Sequence, residues 1–331
     1  MEKEKVKALA LLSGGLDSTL AVKLILDQGI EVEAINFVTP FCLCKKGGCG
    51  APEVAEKFGI PLKIVSLGGE YLRVIRKPKY GYGRNMNPCI DCRIFMLKKA
   101  KKYAKEIGAA FIFTGEVLDE RPMSQHLKAL HIIEEEAGLK GKILRPLSAR
   151  LLPKTEAEKK GLVDESKLLD IRGRSRKRQI ALAKEFGITD YPCPAGGCLL
   201  TYKEFAAKLR DLFRHKKRIS LRDVRLLKIG RHFRYGRNKI VVGRNKEENE
   251  VLLRLKAQND YFFEAQGCGS PITLLQGPKT RQAVEQAAKL TAYYSDQKTG
   301  NVHVKYGREK LEKNISVDRP SSEEVEQLRI K

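Results

Sequence analysis

Two groups of residues in this chain have recognisable chemistry. The first is Ser13-Gly14-Gly15-Leu16-Asp17-Ser18, between the apolar run Val6 to Leu12 and the periodic apolar segment Leu20 to Leu26. That order reads as strand, glycine turn and helix. Two glycines let the backbone turn without side-chain obstruction, so several amide N–H groups and the start of the helix converge on one small positive volume. Such a nest suits phosphate. The stretch lacks the GxxxxGK[ST] spacing and its lysine, which argues against transfer of a γ-phosphate, and a plain tight connection from strand to helix would use the same glycines. The second group is cysteine, with 8 in the chain. Cys89 and Cys92 form CxxC, whose turn brings both sulfurs to one side of the backbone where they can reach one metal. An iron-sulfur site, structural zinc, a redox dithiol and bystander thiols all fit that spacing alone. Cys42, Cys44 and Cys49 could bind a second metal, relay sulfur or simply pack a cysteine-rich loop. Cys193 and Cys198 lie in Tyr191 to Thr201, where two prolines and two glycines forbid a regular element and leave a shaped loop able to approach a site.

The elements that must position these residues follow from the hydrophobic pattern. Strands are expected at Val6 to Leu12, Val32 to Val38, Leu62 to Leu67, Ala110 to Phe113 and Lys142 to Leu144. Helices fall between them: one after the glycine turn, one from Pro52 to Phe58, and a long basic one running to about Ile107 and closing on Gly108. This alternation predicts an α/β fold with a doubly wound, mostly parallel sheet. Ligands of such sheets bind beyond the carboxyl ends of the strands. The phosphate turn, the first cysteine cluster and Thr114-Gly115 all follow strands directly, so they should share one rim.

The five fixed positions of SGGxDS, here Ser13, Gly14, Gly15, Asp17 and Ser18, make the chain resemble the PP-loop ATP pyrophosphatases, a branch of the adenine nucleotide alpha hydrolase-like fold. In that family the signature binds the β,γ-pyrophosphate of ATP while a substrate is adenylated. Thr114-Gly115-Glu116, with Leu118 and Asp119, resembles the family's TGxxL segment near the adenine and metal, and Arg145-Pro146-Leu147 looks like a further family segment. Cys92 in Asn87-Pro88-Cys89-Ile90-Asp91-Cys92 falls where 2-thiouridine synthases have a sulfur-handling cysteine. Cys89 stands where cluster-free enzymes have aspartate, a departure that resembles the iron-sulfur-dependent thiolases, which use two cysteines at this spacing and a third far along the chain. The segment Gly196 to Thr201 resembles one in 4-thiouridine synthase-like proteins, so Cys198 is the expected third ligand, with Cys193 in reserve.

Composition bounds the partners. The chain has 331 residues, enough for two or three domains, and Lys plus Arg outnumber Asp plus Glu by 64 to 40 for a net charge of +24. A surface that positive attracts polyanions, nucleic acid above all. Arg172, Arg174, Arg176, Lys177 and Arg178 concentrate five cations within seven residues; they could neutralise phosphate or form a solvated helix face, and the resemblance makes them the expected tRNA contacts. No apolar run is long enough to cross a bilayer and no signal-peptide pattern is seen, so a cytoplasmic protein without membrane contact is expected. Its thiols would then be reduced.

Four regions are expected: a PP-loop domain over 1–165, a basic helical connector with Cys193 and Cys198 over 166–225, a smaller α+β domain over 226–318 and a tail over 319–331. The third resembles the NFACT-R RNA-binding domain in Val242-Gly243-Arg244-Asn245, Glu248-Asn249, Asp260-Tyr261-Phe262-Phe263, Ala287 to Leu290 with Tyr294, and Val302 to Tyr306 followed by Lys310. That family commonly has tryptophan and histidine around its second strand, where this chain has Tyr261 and Glu264.

Together the resemblances imply ATP-dependent thiolation of a tRNA uridine: a uracil carbonyl oxygen is adenylated and sulfur then displaces AMP. Asp17, Cys89, Cys92 and Cys198 are the expected catalytic residues. Ser13, Gly14, Gly15, Asp17 and Ser18 would hold pyrophosphate and magnesium, Thr114 and Gly115 would face the nucleotide, and Cys89, Cys92 and Cys198 would ligate a 4Fe-4S cluster. Sulfide or a carrier persulfide would be the donor, and a homodimer is one option for assembly. Position 8 with 4-thiouridine is the first expectation and wobble 2-thiouridine the next. A PP-loop enzyme using a nitrogen nucleophile or a small-molecule substrate, and a non-enzymatic tRNA- or ribosome-binding factor, are the competing readings.

Overall fold

The computed structural model describes residues 6–42, 50–189, 191 and 198–331, divided into two units, Met1–Thr201 and Tyr202–Lys331. The first unit contains β1 (Lys7–Leu11), α1 (Leu16–Leu26), β2 (Glu31–Val38), α2 (Ala51–Phe58), β3 (Leu62–Ser66), α3 (Gly69–Arg76), α4 (Cys89–Glu106), β4 (Phe111–Thr114), α5 (Leu127–Ala137), β5 (Ile143–Leu144), α6 (Glu156–Lys159) and α7 (Lys177–Glu185). Its sheet runs β3-β2-β1-β4-β5 with every pair parallel. This is the expected α/β class, and the sequence shows why. β1 is apolar on both faces, as a central parallel strand must be. Ala8 and Ala10 face one layer with Ala21, Val22 and Ile25 of α1, while Leu9 and Leu11 face the other with Ile94, Leu97 and Ala100 of α4. The chain leaves β1 toward β2 on one side and returns to pair β4 on the other. β1 is therefore the switch point of the sheet, where a crevice opens at the carboxyl ends.

The stretch read as one connector, 166–225, is divided between the units. Ile171, Ala183 and Ile188 pack on Leu16, Leu20 and Leu24 of α1, so the residues up to Thr201 belong with the first unit. Helix α3 lies in a stretch to which the hydrophobic pattern assigns no element. Gly68 and Gly69 open it like a turn, yet Tyr71, Leu72 and Ile75 make one buried stripe.

The second unit contains α8 (Lys203–His215), α9 (Leu221–Leu227), β6 (Arg231–Tyr235), β7 (Asn238–Val242), α10 (Lys246–Leu255), β8 (Tyr261–Ala265), β9 (Thr273–Gln276), α11 (Arg281–Tyr293), β10 (Asn301–Gly307), β11 (Lys313–Asp318) and α12 (Ser322–Leu328). Its sheet runs β11-β10-β8-β9-β7-β6, all antiparallel. One face packs Ile240, Val242, Phe263 and Leu275 against Ala283, Ala287 and Ala288 of α11. On the other, Val241 and Leu274 meet Leu226 and Leu252. Strands β6 and β11 are the two edges of this sheet: β11, KNISVD, keeps its polar side chains in water, whereas β6, RHFRY, buries the adjacent His232 and Phe233 and leaves Arg231 and Arg234 part-exposed, so its two-residue alternation is lost.

Candidate functional site

The glycine turn sits at the switch point. Gly14 has φ 75, a left-handed conformation that suits glycine, and Gly15 caps α1 without a side-chain bond, leaving first-turn amides free of one. Two hydroxyls shape the turn. Ser13 Oγ and Ser18 Oγ share a 3.0 Å bond, Ser18 Oγ donates to the Gly15 carbonyl at 2.9 Å, and the Ser13 amide donates to Ser18 Oγ at 3.3 Å. From the neighbouring strand, Gly115 closes on the start of α1. A Cβ at that position would lie 2.4 Å from the Ser18 nitrogen and 2.5 Å from the Asp17 carbonyl carbon, both backbone atoms. Thr114 is buried beside it and donates from Oγ1 to Glu116 Oε2 at 3.2 Å. The expected nucleotide-facing residues thus share one rim with the turn.

Electrostatics at this rim are unusual. Asp17 accepts from Arg176 Nη2 at 2.7 Å through Oδ2, while its Oδ1 is buried and has no hydrogen-bond partner in the structure. Burial, then repulsion by Glu120, push the Asp17 carboxyl up to about 6 against the pull of Arg176. Arg176 also reaches Glu120 through Nε at 2.9 Å and Nη2 at 2.7 Å. Glu116 is fully desolvated, yet Arg93 at 3.3 Å and Arg145 at 3.2 Å hold its carboxyl below the usual range. Arg145 continues to Glu134 at 2.5 Å, and its Nη2 finds no partner in the structure. An orphaned carboxylate oxygen and an orphaned guanidinium nitrogen are what a charged nucleotide and its cation would satisfy.

The thiols lie beside this rim. Cys89 and Cys92 occupy the first turn of α4, whose bonding begins with the Cys92 amide on the Pro88 carbonyl at 2.9 Å. Cys198 comes from far along the chain and is pinned by backbone bonds on both sides. Cys42 and Cys198 form an antiparallel bridge, with the Leu199 amide on the Phe41 carbonyl at 2.9 Å. The Met86 amide donates to the Leu200 carbonyl at 3.1 Å, and Asn85 Nδ2 to the Thr201 carbonyl at 2.7 Å. Burial pushes the Cys92 thiol up to about 12 against a hydrogen bond from the Tyr71 hydroxyl, and nearby Cys198 and Cys89 push the same way. Burial likewise pushes Cys198 up to about 11, against a bond from the Leu200 backbone, with Cys89 and Cys42 adding to the rise. Arg93, next to Cys92 in sequence, is the direct bridge to Glu116 at the nucleotide rim.

Cys89, Cys92 and Cys198 are therefore electrostatic neighbours, with Cys42 beside Cys198; thiols are the donor type that an iron-sulfur cluster requires. Among the described residues no three His, Cys, Asp or Glu side chains stand at metal-holding separation in this conformation. Cys44, Cys49 and Cys193 lie outside the described residues. Cys268 is in the second unit, against its core.

The five cations expected to face tRNA separate into three groups. Arg172 is bonded to Asp119 at 2.7 Å and Arg178 to Asp170 at 2.6 Å, both exposed. Arg176 turns inward to Asp17 and Glu120. Arg174 and Lys177 are exposed. Sequence reasoning passed over Arg93, Glu120, Glu134 and Tyr71. Glu116 and Arg145 lay inside quoted motifs, but nothing in their spacing paired them.

Comparison with known proteins gives two matches along the chain. Residues 4–156 match the family model of the thiamine biosynthesis protein (ThiI), and residues 230–329 that of the NFACT protein RNA binding domain. The tRNA-specific 2-thiouridylase MnmA of Stutzerimonas stutzeri is 27% identical over 223 residues, covering 63% of this chain and 56% of that protein. A probable tRNA sulfurtransferase of Thermococcus kodakarensis is 31% identical over 150 residues, 43% of this chain and 36% of the relative. The matched region thus spans between about a third and just over half of the length of these relatives. Among solved structures, a 4-thiouridine synthetase–RNA complex with bound ATP aligns at TM-score 0.38 and 24% identity over 67% of this chain and 52% of the other. The U34-tRNA thiolase NcsA from Methanococcus maripaludis, with its [4Fe-4S] cluster, aligns at 0.35 and 20% over 68% and 72%.

Proposed function

From a chain that joins a ThiI-type domain to an NFACT-type RNA-binding domain, we infer a tRNA sulfurtransferase that spends ATP to replace a uracil carbonyl oxygen by sulfur. The reading rests most on one observation: backbone bonds draw Cys198 and Cys42 to the loop before α4, and α4 itself reaches the nucleotide rim through Arg93 and Glu116. An activating site and a sulfur site side by side are what a two-step exchange of oxygen for sulfur needs.

Ser13, Gly14, Gly15 and Ser18 offer amides, hydroxyls and the positive end of α1 to the pyrophosphate. Asp17, one of whose oxygens has no partner in the structure, would hold magnesium, and Arg176 offsets the negative charge that Asp17 and Glu120 bring to the same place. Thr114 and Gly115 let the nucleotide approach the sheet. In the first step the uracil oxygen bonds to the α-phosphorus and pyrophosphate leaves. In the second a sulfur nucleophile bonds to the ring carbon, the carbon–oxygen bond breaks, and AMP departs with the original uracil oxygen. Cys89, Cys92 and Cys198, with Cys193 as alternate for the last, are the thiolates that would hold a 4Fe-4S cluster. Such a cluster supplies a Lewis-acidic iron to a sulfur nucleophile. The basic segment with Arg174 and Lys177 exposed and the RNA-binding domain would hold the tRNA. Among the described residues no helix is long and apolar enough to cross a membrane.

The test is thiolation of unmodified tRNA by the anaerobically purified chain with ATP and either sulfide or a persulfide donor, read by nucleoside mass spectrometry. 4-Thiouridine at position 8 is the expected product. Loss of product in Asp17→Ala and Cys92→Ala supports the assignment; normal thiolation by either variant counts against it. RNA-dependent ATP–pyrophosphate exchange without thionucleoside would instead favour a nitrogen nucleophile.

A further inference from the structure

In the second unit the ring of Tyr261 lies among three cations. Lys279 Nζ is 5.4 Å from the ring centroid, the Arg308 guanidinium 5.6 Å and Lys313 Nζ 5.7 Å. The sheet explains the meeting. β8 and β10 pair Phe263 with Tyr306 and Phe262 with Gly307, and β10 and β11 pair Tyr306 with Lys313, so Tyr261 comes beside the β10–β11 turn. Tyr306 backs the ring at 5.8 Å and is itself stacked on buried Phe263 at 5.2 Å. The aromatic platform is thus anchored in the core, while Arg308 and Lys313 stand in solvent and Tyr261 is part-exposed.

Three like charges around one ring repel each other. Burial and Arg308 both push the Lys279 ammonium toward losing its proton, opposed by Asp260. Asp260 is already bonded to Arg222 at 2.7 Å, and none of the three cations forms a salt bridge among the described residues. Arg329, over the ring of Phe233, differs in being bonded to Glu326 at 2.5 Å and to the Tyr294 hydroxyl at 2.8 Å. Repelling cations without a carboxylate call for an anion from outside, and the ring between them calls for a planar partner. A nucleotide whose base is unstacked offers both at that spacing; a duplex buries its base faces.

We propose that Tyr261, Lys279, Arg308 and Lys313 form a subsite for an unpaired nucleotide of the bound RNA, with the base on the tyrosine ring and flanking phosphates on the cations. The proposal rests on the RNA-binding reading of this domain and adds where, and in which strandedness, the RNA is held.

The test uses the full chain and fluorescence anisotropy with two labelled probes, an unstructured 12-nucleotide oligouridine and a fully paired RNA duplex of the same length, each over a range of salt. Tyr261→Leu keeps apolar bulk and should weaken oligouridine binding by about tenfold or more, with the duplex affinity unchanged. Tyr261→Phe should bind like the native chain. Arg308→Gln and Lys313→Gln should each lower the salt dependence of oligouridine binding by about 0.7 in log–log slope. Unchanged oligouridine binding by Tyr261→Leu, or equal losses on both probes, overturns the subsite while leaving the domain's RNA reading intact. A native chain that binds neither probe nor tRNA overturns that reading, and the subsite with it. Should Tyr261→Leu fold poorly by circular dichroism, the two glutamine variants decide: unchanged salt slopes in both refute the proposal.

Discussion

Asp17 is predicted to be a residue that the fold tolerates for function at a cost in stability. Its carboxyl titrates at about 6 against 3.8 for a free aspartate, chiefly because it is buried, with Glu120 adding repulsion and Arg176 only partly offsetting both. A raised carboxyl pKa means that the folded state binds this proton more tightly than the unfolded chain does. Below about pH 4 both states are protonated and burial of the charge costs nothing. Between about 4 and 6 the unfolded chain loses its proton first, and above about 6 the folded state bears the full cost. At about 1.36 kcal/mol per tenfold change in proton affinity, that cost is on the order of 3 kcal/mol. Asp17→Asn removes the charge while leaving an amide oxygen for Arg176, which keeps Glu120 as its ionic partner. In metal-free, nucleotide-free buffer the variant should therefore be more stable than the native chain near pH 8, by up to about 3 kcal/mol, and the difference should vanish toward pH 4. The chain has no tryptophan, so urea unfolding followed by far-UV circular dichroism is the assay, run across that pH range. Calorimetric titration with magnesium-ATP should show binding lost in the same variant. A variant less stable than the native chain near pH 8 would mean that the Arg176 bond outweighs desolvation, and the reasoning would be wrong.

Other consequences are separable. Gly115→Ala places a methyl group against the backbone at Asp17 and Ser18; calorimetry should show ATP affinity reduced at least tenfold and thermal melting a loss of about 1–3 kcal/mol. Tyr71→Phe removes the hydroxyl that favours the Cys92 thiolate, so alkylation of Cys92 in cluster-free protein, read by peptide mass spectrometry near pH 9, should slow further. In the second unit, burial pulls Lys239 down to about 7 although Asp211 lies close. The folded state lacks this proton between about pH 7 and 10.5 while the unfolded chain keeps it, so Lys239→Met should stabilise most near pH 6, by several kcal/mol, with the gain shrinking toward pH 10 in urea melts.

What the sequence by itself determined is the part written locally. Apolar runs of strand length alternating with helical periods specify a parallel sheet, and the glycine turn after β1 specifies where an anion can sit, because both depend on neighbours within a few residues. The same holds for Cys89 and Cys92, whose spacing puts them on one turn of α4. Tertiary structure alone decided the rest. Arg176 reads as one of five equivalent cations until α7 packs on α1 and turns it into the nest at Asp17; its neighbours Arg174 and Lys177 stay in solvent. Glu116, Arg93, Arg145 and Glu134 come from four separate segments, and no spacing rule joins charges that meet only after burial has made pairing obligatory. Cys198 and Cys42 meet for a like reason, through backbone bonds between chain segments far apart in sequence. The two edge strands take their form from the strands they pair with: β11 keeps its polar side chains in water, while β6 buries His232 beside Phe233.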